Sequence, residues 1–292
     1  MTQPKTLDDA LQTRNMPRTV DQWEDLLDSE GTHAVETEVG EMAFVEDGGQ
    51  LHLHYAFDTL EAMKQVWHSM FEVLRPRILD LGYPYLVIDL VEHPNRRWIE
   101  GLLDENDFEE LGDWLEFTHN DIRDLDPPEI PTGLTMRRGN EGDHEAVIEL
   151  EGRAYGDFTD GATATRNRLA EAAWLGMLER DGELIAYALN SAVEGGAGTV
   201  ISCAVQPREQ NRGIGKVILG AATYQLASAG ARTATVRVWP EIPRGARIAQ
   251  AIGYRVGRRG VEMRRDSDEA VLEQHREEQR IRNMRVRFGG WR

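Results

Sequence analysis

Glycines and cations gather at one place in the last third of the chain, Val205-Gln-Pro-Arg-Glu-Gln-Asn-Arg-Gly-Ile-Gly-Lys216. A β-prone run leads into this stretch and a helical pattern leads out of it. A strand that turns through glycines into a helix presents backbone N–H groups with no partner in regular structure. The helix N-terminus adds partial positive charge. Gly213 and Gly215 let a ligand approach the backbone, because no Cβ intervenes. Arg208, Arg212 and Lys216 add cationic groups. The chemistry this pattern serves is the binding of a phosphate or pyrophosphate.

The elements that must hold the loop follow from periodicity and turn signals. Residues 121–133 (DIRDLDPPEIPTG) contain three prolines and no apolar period, which marks a linker. After it the pattern predicts a strand over 134–138, a helix over 143–154 with Asp143 as N-cap, and a helix over 163–173. Strands follow at 174–179, 184–193 and 199–205, separated by Gly182 and the Gly195-Gly196-Ala197-Gly198 run. Beyond the loop come a helix to about 229, a strand at 233–239, a helix at 244–252 and a strand or strand pair over 254–264. The order is α/β with a mixed sheet.

The loop is neither a Walker loop nor a good dinucleotide-binding turn. The longer pattern is more specific. Val205-x-Pro207, then Gln210-x-x-Gly213-x-Gly215, then an apolar helix, resembles the acetyl-CoA pyrophosphate loop of the GNAT superfamily of acyltransferases. Residues 134–264 follow that family's element order, and Gly253-Tyr254 resembles its Leu-Gly-Phe ending. The resemblance implies an α/β (α+β) fold with a mixed, mostly antiparallel sheet flanked by helices. It implies acetyl-CoA as co-substrate and no metal. Backbone N–H groups of Asn211, Arg212, Gly213, Ile214, Gly215 and Lys216, with Gln210, would hold the pyrophosphate. Cys203, Ala204 and Val205 would pair with the pantetheine, one N–H meeting the thioester oxygen. Amine attack builds charge on that oxygen, so a fixed donor there lowers the barrier. The amine must also be neutral, which calls for a base.

The family's helpers are missing at two places. A tyrosine that acts as general acid falls on Ala249 here, and an asparagine on Ile242. Candidates for the base are Glu194, at a strand end, and Tyr187, on the adjacent strand. Tyr155 and Asp157 fall between two helices in a region that lines substrate sites in the family. Cys203 has no histidine partner and reads as packing. Two readings stay open: an N-acetyltransferase, and a non-catalytic acyl-CoA-binding regulatory protein.

Composition bounds the rest. The 292 residues suffice for two domains, and one cysteine excludes an internal disulfide. No stretch is apolar enough to span a membrane, and the N-terminus lacks signal-peptide character, so a cytoplasmic protein is expected. The net charge of −18 is uneven: residues 1–130 hold 30 acids against 9 bases. That acidic surface either aids solubility or attracts a cationic amine acceptor, whether small molecule or peptide, and it argues against nucleic acid. The charged tail over 266–292 reads as a helix from about 268 to 285, either solvated or packed on the N-terminal half or on a second copy, as in a homodimer.

The N-terminal half repeats the pattern. Gly40–Phe57 aligns with Gly182–Val205, Gly82 with Gly230, and 86–91 with 234–239. In this register Ala62, Gln65 and Trp67 stand where the loop has Gln210, Gly213 and Gly215. A helix capped by Asp58 or Thr59 replaces the loop, so no phosphate is cradled there. His52 and His54 share one strand face, a structural pair rather than a metal site. The expected domains are a degenerate GNAT-like copy over 1–130, a CoA-binding catalytic domain over 131–265, and the tail.

Overall fold

The computed structural model describes residues 14–15, 20–28, 31–47, 50–83, 85–91, 96–156, 161–239 and 243–267. Two compact units divide the chain: 1–112 with 260–292, and 113–259. The boundary expected at 130/131 is displaced, and the reason lies in strand pairing.

The first unit contains helix α1 (Val20–Asp28), strands β1 (His33–Thr37), β2 (Gly40–Asp47) and β3 (Gln50–Phe57), helix α2 (Leu60–Leu81), strand β4 (Tyr85–Val91) and helix α3 (Arg96–Asp104). Strand β5 (Glu109–His119) begins there and runs into the second unit. The second unit adds β6 (Thr135–Arg138), α4 (His144–Tyr155), α5 (Gly161–Glu171), β7 (Trp174–Arg180), β8 (Glu183–Asn190), β9 (Ala197–Val205), α6 (Ile214–Ser228), β10 (Thr233–Val238) and α7 (Pro243–Ala251). Strand β11 (Arg255–Asp266) follows and ends in the first unit.

In the first unit β1, β2 and β3 are antiparallel, β3 and β4 are parallel, and β4 pairs antiparallel with Gly260–Asp266 of β11. In the second, β6 through β9 are antiparallel, β9 and β10 are parallel, and β10 pairs antiparallel with Leu115–His119 of β5. Each sheet is therefore closed by a strand that follows the other copy in sequence. Periodicity finds such a strand but says nothing of its partner. The proline-rich 121–133 segment also differs from a free linker. Ile122 is buried, its N–H bonds Arg232 O at 2.9 Å, and Leu125 and Ile130 pack on the second unit's core.

Each core follows from alternation. In the first unit Leu51, Leu53, Tyr55 and Phe57 of β3 point to one face and meet Met63, Trp67, Met70, Phe71, Leu74 and Ile78 along one side of α2. In the second, both faces of β8 are covered, so ELIAYALN reads as a near-continuous apolar run. Ile185, Ala186 and Ala188 face α6, while Tyr187 and Leu189 face Val147 and Leu150 of α4. Asp181 and Gly182 both have positive φ, as a two-residue β7–β8 hairpin requires.

Candidate active site

The loop between β9 and α6 keeps its donors free. A short 3-10 turn over Pro207–Glu209 leads to Gln210; Asn211 and Gly213 then take positive φ, and Gly213 stands at the N-cap with no side-chain cap. Among the described residues, no protein acceptor meets the backbone N–H groups of Asn211, Arg212, Gly213, Ile214 or Gly215. The two glycines have different causes. A Cβ on Gly213 would touch nothing, so its φ of 82° is the reason for glycine. A Cβ on Gly215 would lie 2.6 Å from Ile248 Cδ1, so that glycine lets α7 approach α6.

Buried Glu209 anchors the loop by accepting both of its 2.8 Å bonds from Arg180 on β7. Arg208 is turned back onto Gln206 and Glu183. Arg212 and Lys216 are exposed beside the free donors. Arg244 reaches over from α7 to the Gln210 side-chain oxygen. Helix terminus and cations together favour an anion here.

Strand β9 ends on an open edge. The parallel β9–β10 pairing covers Ala197–Val200 against Thr233–Val236 and then stops. Opposite, the β8–β9 register shifts so that Leu189 pairs Ser202 and Asn190 pairs Val200, leaving Ile201 as a bulge. A bulge bends its strand, which turns the rest of β9 away from β10. The Gln206 N–H bonds Ile185 O at 2.8 Å, which fixes the hydrogen-bond parity. By that parity Ser202 and Ala204 bond β8, while Cys203 and Val205 present N–H and C=O to the gap. Two side chains reach this edge: Tyr155 Oη donates to Cys203 O at 2.7 Å, and Gln210 Nε2 to Val205 O at 3.1 Å.

Behind the edge, on the α4–α5 face, lies a buried polar cluster. Glu151 is 2% exposed and accepts from Arg168 (Nη2, 2.5 Å) and Thr165 (3.1 Å), and from the Tyr187 hydroxyl. Tyr187 has one proton and a carboxylate can only accept, so that proton points to Glu151. Ser202, 2.8 Å from the Tyr187 oxygen, must then be the donor in that pair. Burial and the Glu151 charge hold the Tyr187 hydroxyl well above its usual range. Burial does the same to Tyr155, reinforced by Cys203 and Glu151, and pushes the Cys203 thiol up to about 12.

An uncapped helix terminus beyond a strand with open amide groups fits an extended, amide-bearing ligand that carries phosphates. Comparison with known proteins supplies the family. Residues 144–245 match the acetyltransferase (GNAT) family. The chain carries a GNAT acetyltransferase domain.

The fold is shared across most of the chain. A GCN5-related N-acetyltransferase from Kribbella flavida is 19% identical with a TM-score of 0.57, covering 84% of this chain and 92% of its own. One from Sphaerobacter thermophilus is 18% identical with a TM-score of 0.57, covering 78% and 77%. A tandem GNAT protein from the clavulanic acid biosynthesis pathway is 13% identical with a TM-score of 0.55, covering 82% and 84%. These likenesses concern fold. No curated protein matches the sequence.

The GNAT domain brings some of the expected residues together and separates others. Cys203, Ala204 and Val205 lie at the β9 edge, and Asn211 through Lys216 surround the free donors. Ala204 differs from its neighbours, since its backbone is engaged with β8. Gln210 is also turned away from an anion, its side chain committed to Val205 O and Arg244. Glu194 sits exposed on the β8–β9 hairpin, bridged to Ala197. Six residue steps of strand, about 20 Å, separate that pairing from Cys203. Glu194 is not brought to the site. Tyr187 is adjacent but faces Glu151.

Ala249 is fully buried among the α6–α7 contacts and offers no hydroxyl. Ile242 and Asp157 lie outside the described residues, as does the tail from 268. Asp143 makes no cap bond to α4; it closes a capping box with Asn140 around the preceding 3-10 turn. Glu151, Arg168 and Arg244 escaped the sequence reading. For Glu151 and Arg168 the signal is a charged residue at an otherwise apolar helix position, which only packing turns into a contact.

The first unit splays in the same place. Among the described residues, strands β3 and β4 pair at Leu51/Leu86 and His52/Val87 and then part. There the chain itself fills the gap. Asn15 Nδ2 donates to Leu53 O at 2.9 Å, Tyr55 N–H donates to Asn15 Oδ1 at 3.2 Å, and Arg14 bridges Ala56. No glycine loop follows β3, and Thr59 caps α2 by accepting from Ala62 N–H at 3.1 Å. His52 stacks near His54 and lies 3.9 Å from Asp89; no metal-holding group occurs among the described residues.

Proposed function

We propose that the second unit transfers the acetyl group of acetyl-CoA to an amine by direct attack in a ternary complex. One observation carries the reading: an open amide edge on β9 runs into an uncapped, cation-flanked helix terminus. The first matches the pantetheine arm and the second its pyrophosphate. The Cys203 N–H faces the gap and supplies a donor for the thioester oxygen, where charge develops during attack. The net charge of −18 favours a cationic acceptor, small molecule or peptide, through long-range attraction. The first unit is a degenerate copy whose slot is occupied by Asn15 and whose helix terminus is capped by Thr59.

Calorimetry tests this. Wild type binds one acetyl-CoA per chain. Gly213→Asp places a carboxylate before the α6 terminus, and aspartate tolerates the left-handed φ better than most residues. Affinity is expected to fall by about 100-fold, two charge-assisted contacts' worth. Unchanged binding in the variant would remove the loop from the site.

A further inference from the structure

Transfer to an amine forms a carbon–nitrogen bond and breaks the carbon–sulfur bond, leaving the electron pair on sulfur. That thiolate needs a proton. The helix position that serves this purpose in the resemblance holds Ala249, so the donor must come from elsewhere. The hydroxyls near the β9 edge can be sorted by what they already bind. The Tyr254 hydroxyl is paired with Thr223 at 2.9 Å inside the α6 core. Tyr187 is committed to Glu151, and Ser202 to Tyr187. The Cys203 side chain packs on the α6 side of the sheet. Tyr155 remains. Its hydroxyl lies in the gap, 2.7 Å from the carbonyl of the residue whose N–H faces the same way.

We propose that Tyr155 is the proton donor to the leaving thiolate. This rests on the acetyl-CoA reading above. A thioester oxygen held by the Cys203 N–H has its sulfur two bonds away, on the edge where the Tyr155 hydroxyl sits. When the carbon–sulfur bond breaks, the Tyr155 proton moves to sulfur. The proton shed by the attacking nitrogen then restores the hydroxyl, so amine and thioester become amide and thiol. The Cys203 carbonyl that Tyr155 now caps is also a natural acceptor for an amide N–H of the bound arm. Binding would release the hydroxyl at the moment it is needed. Glu151 lies four residues earlier on the same face of α4. Its bonds to Arg168, Thr165 and Tyr187 pin that face against the sheet.

The test compares two acetyl donors on wild type and Tyr155→Phe. Acetyl-CoA binding is first measured by calorimetry, and acetyl transfer is then followed with a panel of primary amines, polyamines and lysine peptides. Absence of binding to wild type overturns the acetyl-CoA reading and this proposal with it. With binding within about threefold of wild type, Tyr155→Phe should lose on the order of 100-fold in kcat with acetyl-CoA and little in KM. With the selenoester analogue, whose leaving group needs no proton at neutral pH, the loss should shrink to about threefold or less. An equal loss with both donors assigns Tyr155 a structural role and overturns the proposal. So does full activity of Tyr155→Phe, or failure of wild type to acetylate any amine while still binding acetyl-CoA.

Discussion

Beyond Val200/Val236 the second unit leaves the Cys203 and Val205 backbone groups facing a gap; beyond His52/Val87 the first unit meets the same gap with Asn15. Both gaps arise because two parallel strands part company after a few pairs. Both leave backbone donors and acceptors that must find a partner. In the first unit the partner is an asparagine amide, one carbonyl and one NH2 group, presenting the same hydrogen-bonding face as a peptide-like ligand. The long helices differ likewise: Thr59 caps α2 by accepting the Ala62 N–H, while Gly213 offers α6 no side-chain cap. The lesson is that a binding cleft and a structural joint can be one architecture, distinguished by whether the chain meets the edge's donors as well as its acceptors: Asn15 takes the Tyr55 N–H and caps Leu53 O, whereas Tyr155 and Gln210 meet only the Cys203 and Val205 carbonyls.

That contrast can be broken in order of effect. The largest change is expected from Glu151→Ala, which leaves Arg168 buried without its carboxylate and Tyr187 without its acceptor. Breaking a buried pair costs about 3–5 kcal/mol. Urea denaturation should show that loss in the unfolding transition of the second unit. A loss under about 1 kcal/mol would mean that the cluster is not part of the scaffold behind the open edge.

Asn15→Ala comes next. It strands Leu53 O and Tyr55 N–H in the first unit, at about 1–3 kcal/mol. Its acetyl-CoA affinity should stay at the wild-type value, with one site per chain. A second site appearing by calorimetry would show that Asn15 alone keeps the first unit from binding. The smallest effect belongs to Thr59→Ala, about 1 kcal/mol from a lost N-cap. Thermal unfolding measures it, and no change would place the satisfaction of α2 elsewhere.

Much of this was legible in residues 134–264. Strand and helix positions there agree with periodicity to within a few residues, because apolar spacing and glycine turns are local properties. The likeness of the two halves was also legible: the aligned Gly82 and Gly230 both carry the left-handed φ that ends a helix, at 70° and 97°. Glu194 misled because a carboxylate at a strand end resembles a site residue, and the sequence does not say which end of the strand opens. Glu151 was invisible because a glutamate on an amphipathic helix ordinarily faces water.

By itself the sequence determined that a strand, a glycine loop and an apolar helix stand in the order an anion site needs, and that the first copy lacks the loop. Backbone conformation at Gly213 and the uncapped α6 terminus follow from residue type. Tertiary structure decided the rest. It exchanged the closing strands, so that β5 pairs β10 and β11 pairs β4. It set Gly215 against Ile248, and it brought Glu151, Arg168, Tyr187 and Ser202 together behind β9. The reason is range: turn and helix preferences act over a few residues, whereas strand partners and buried charge pairs are chosen by which surfaces must be covered.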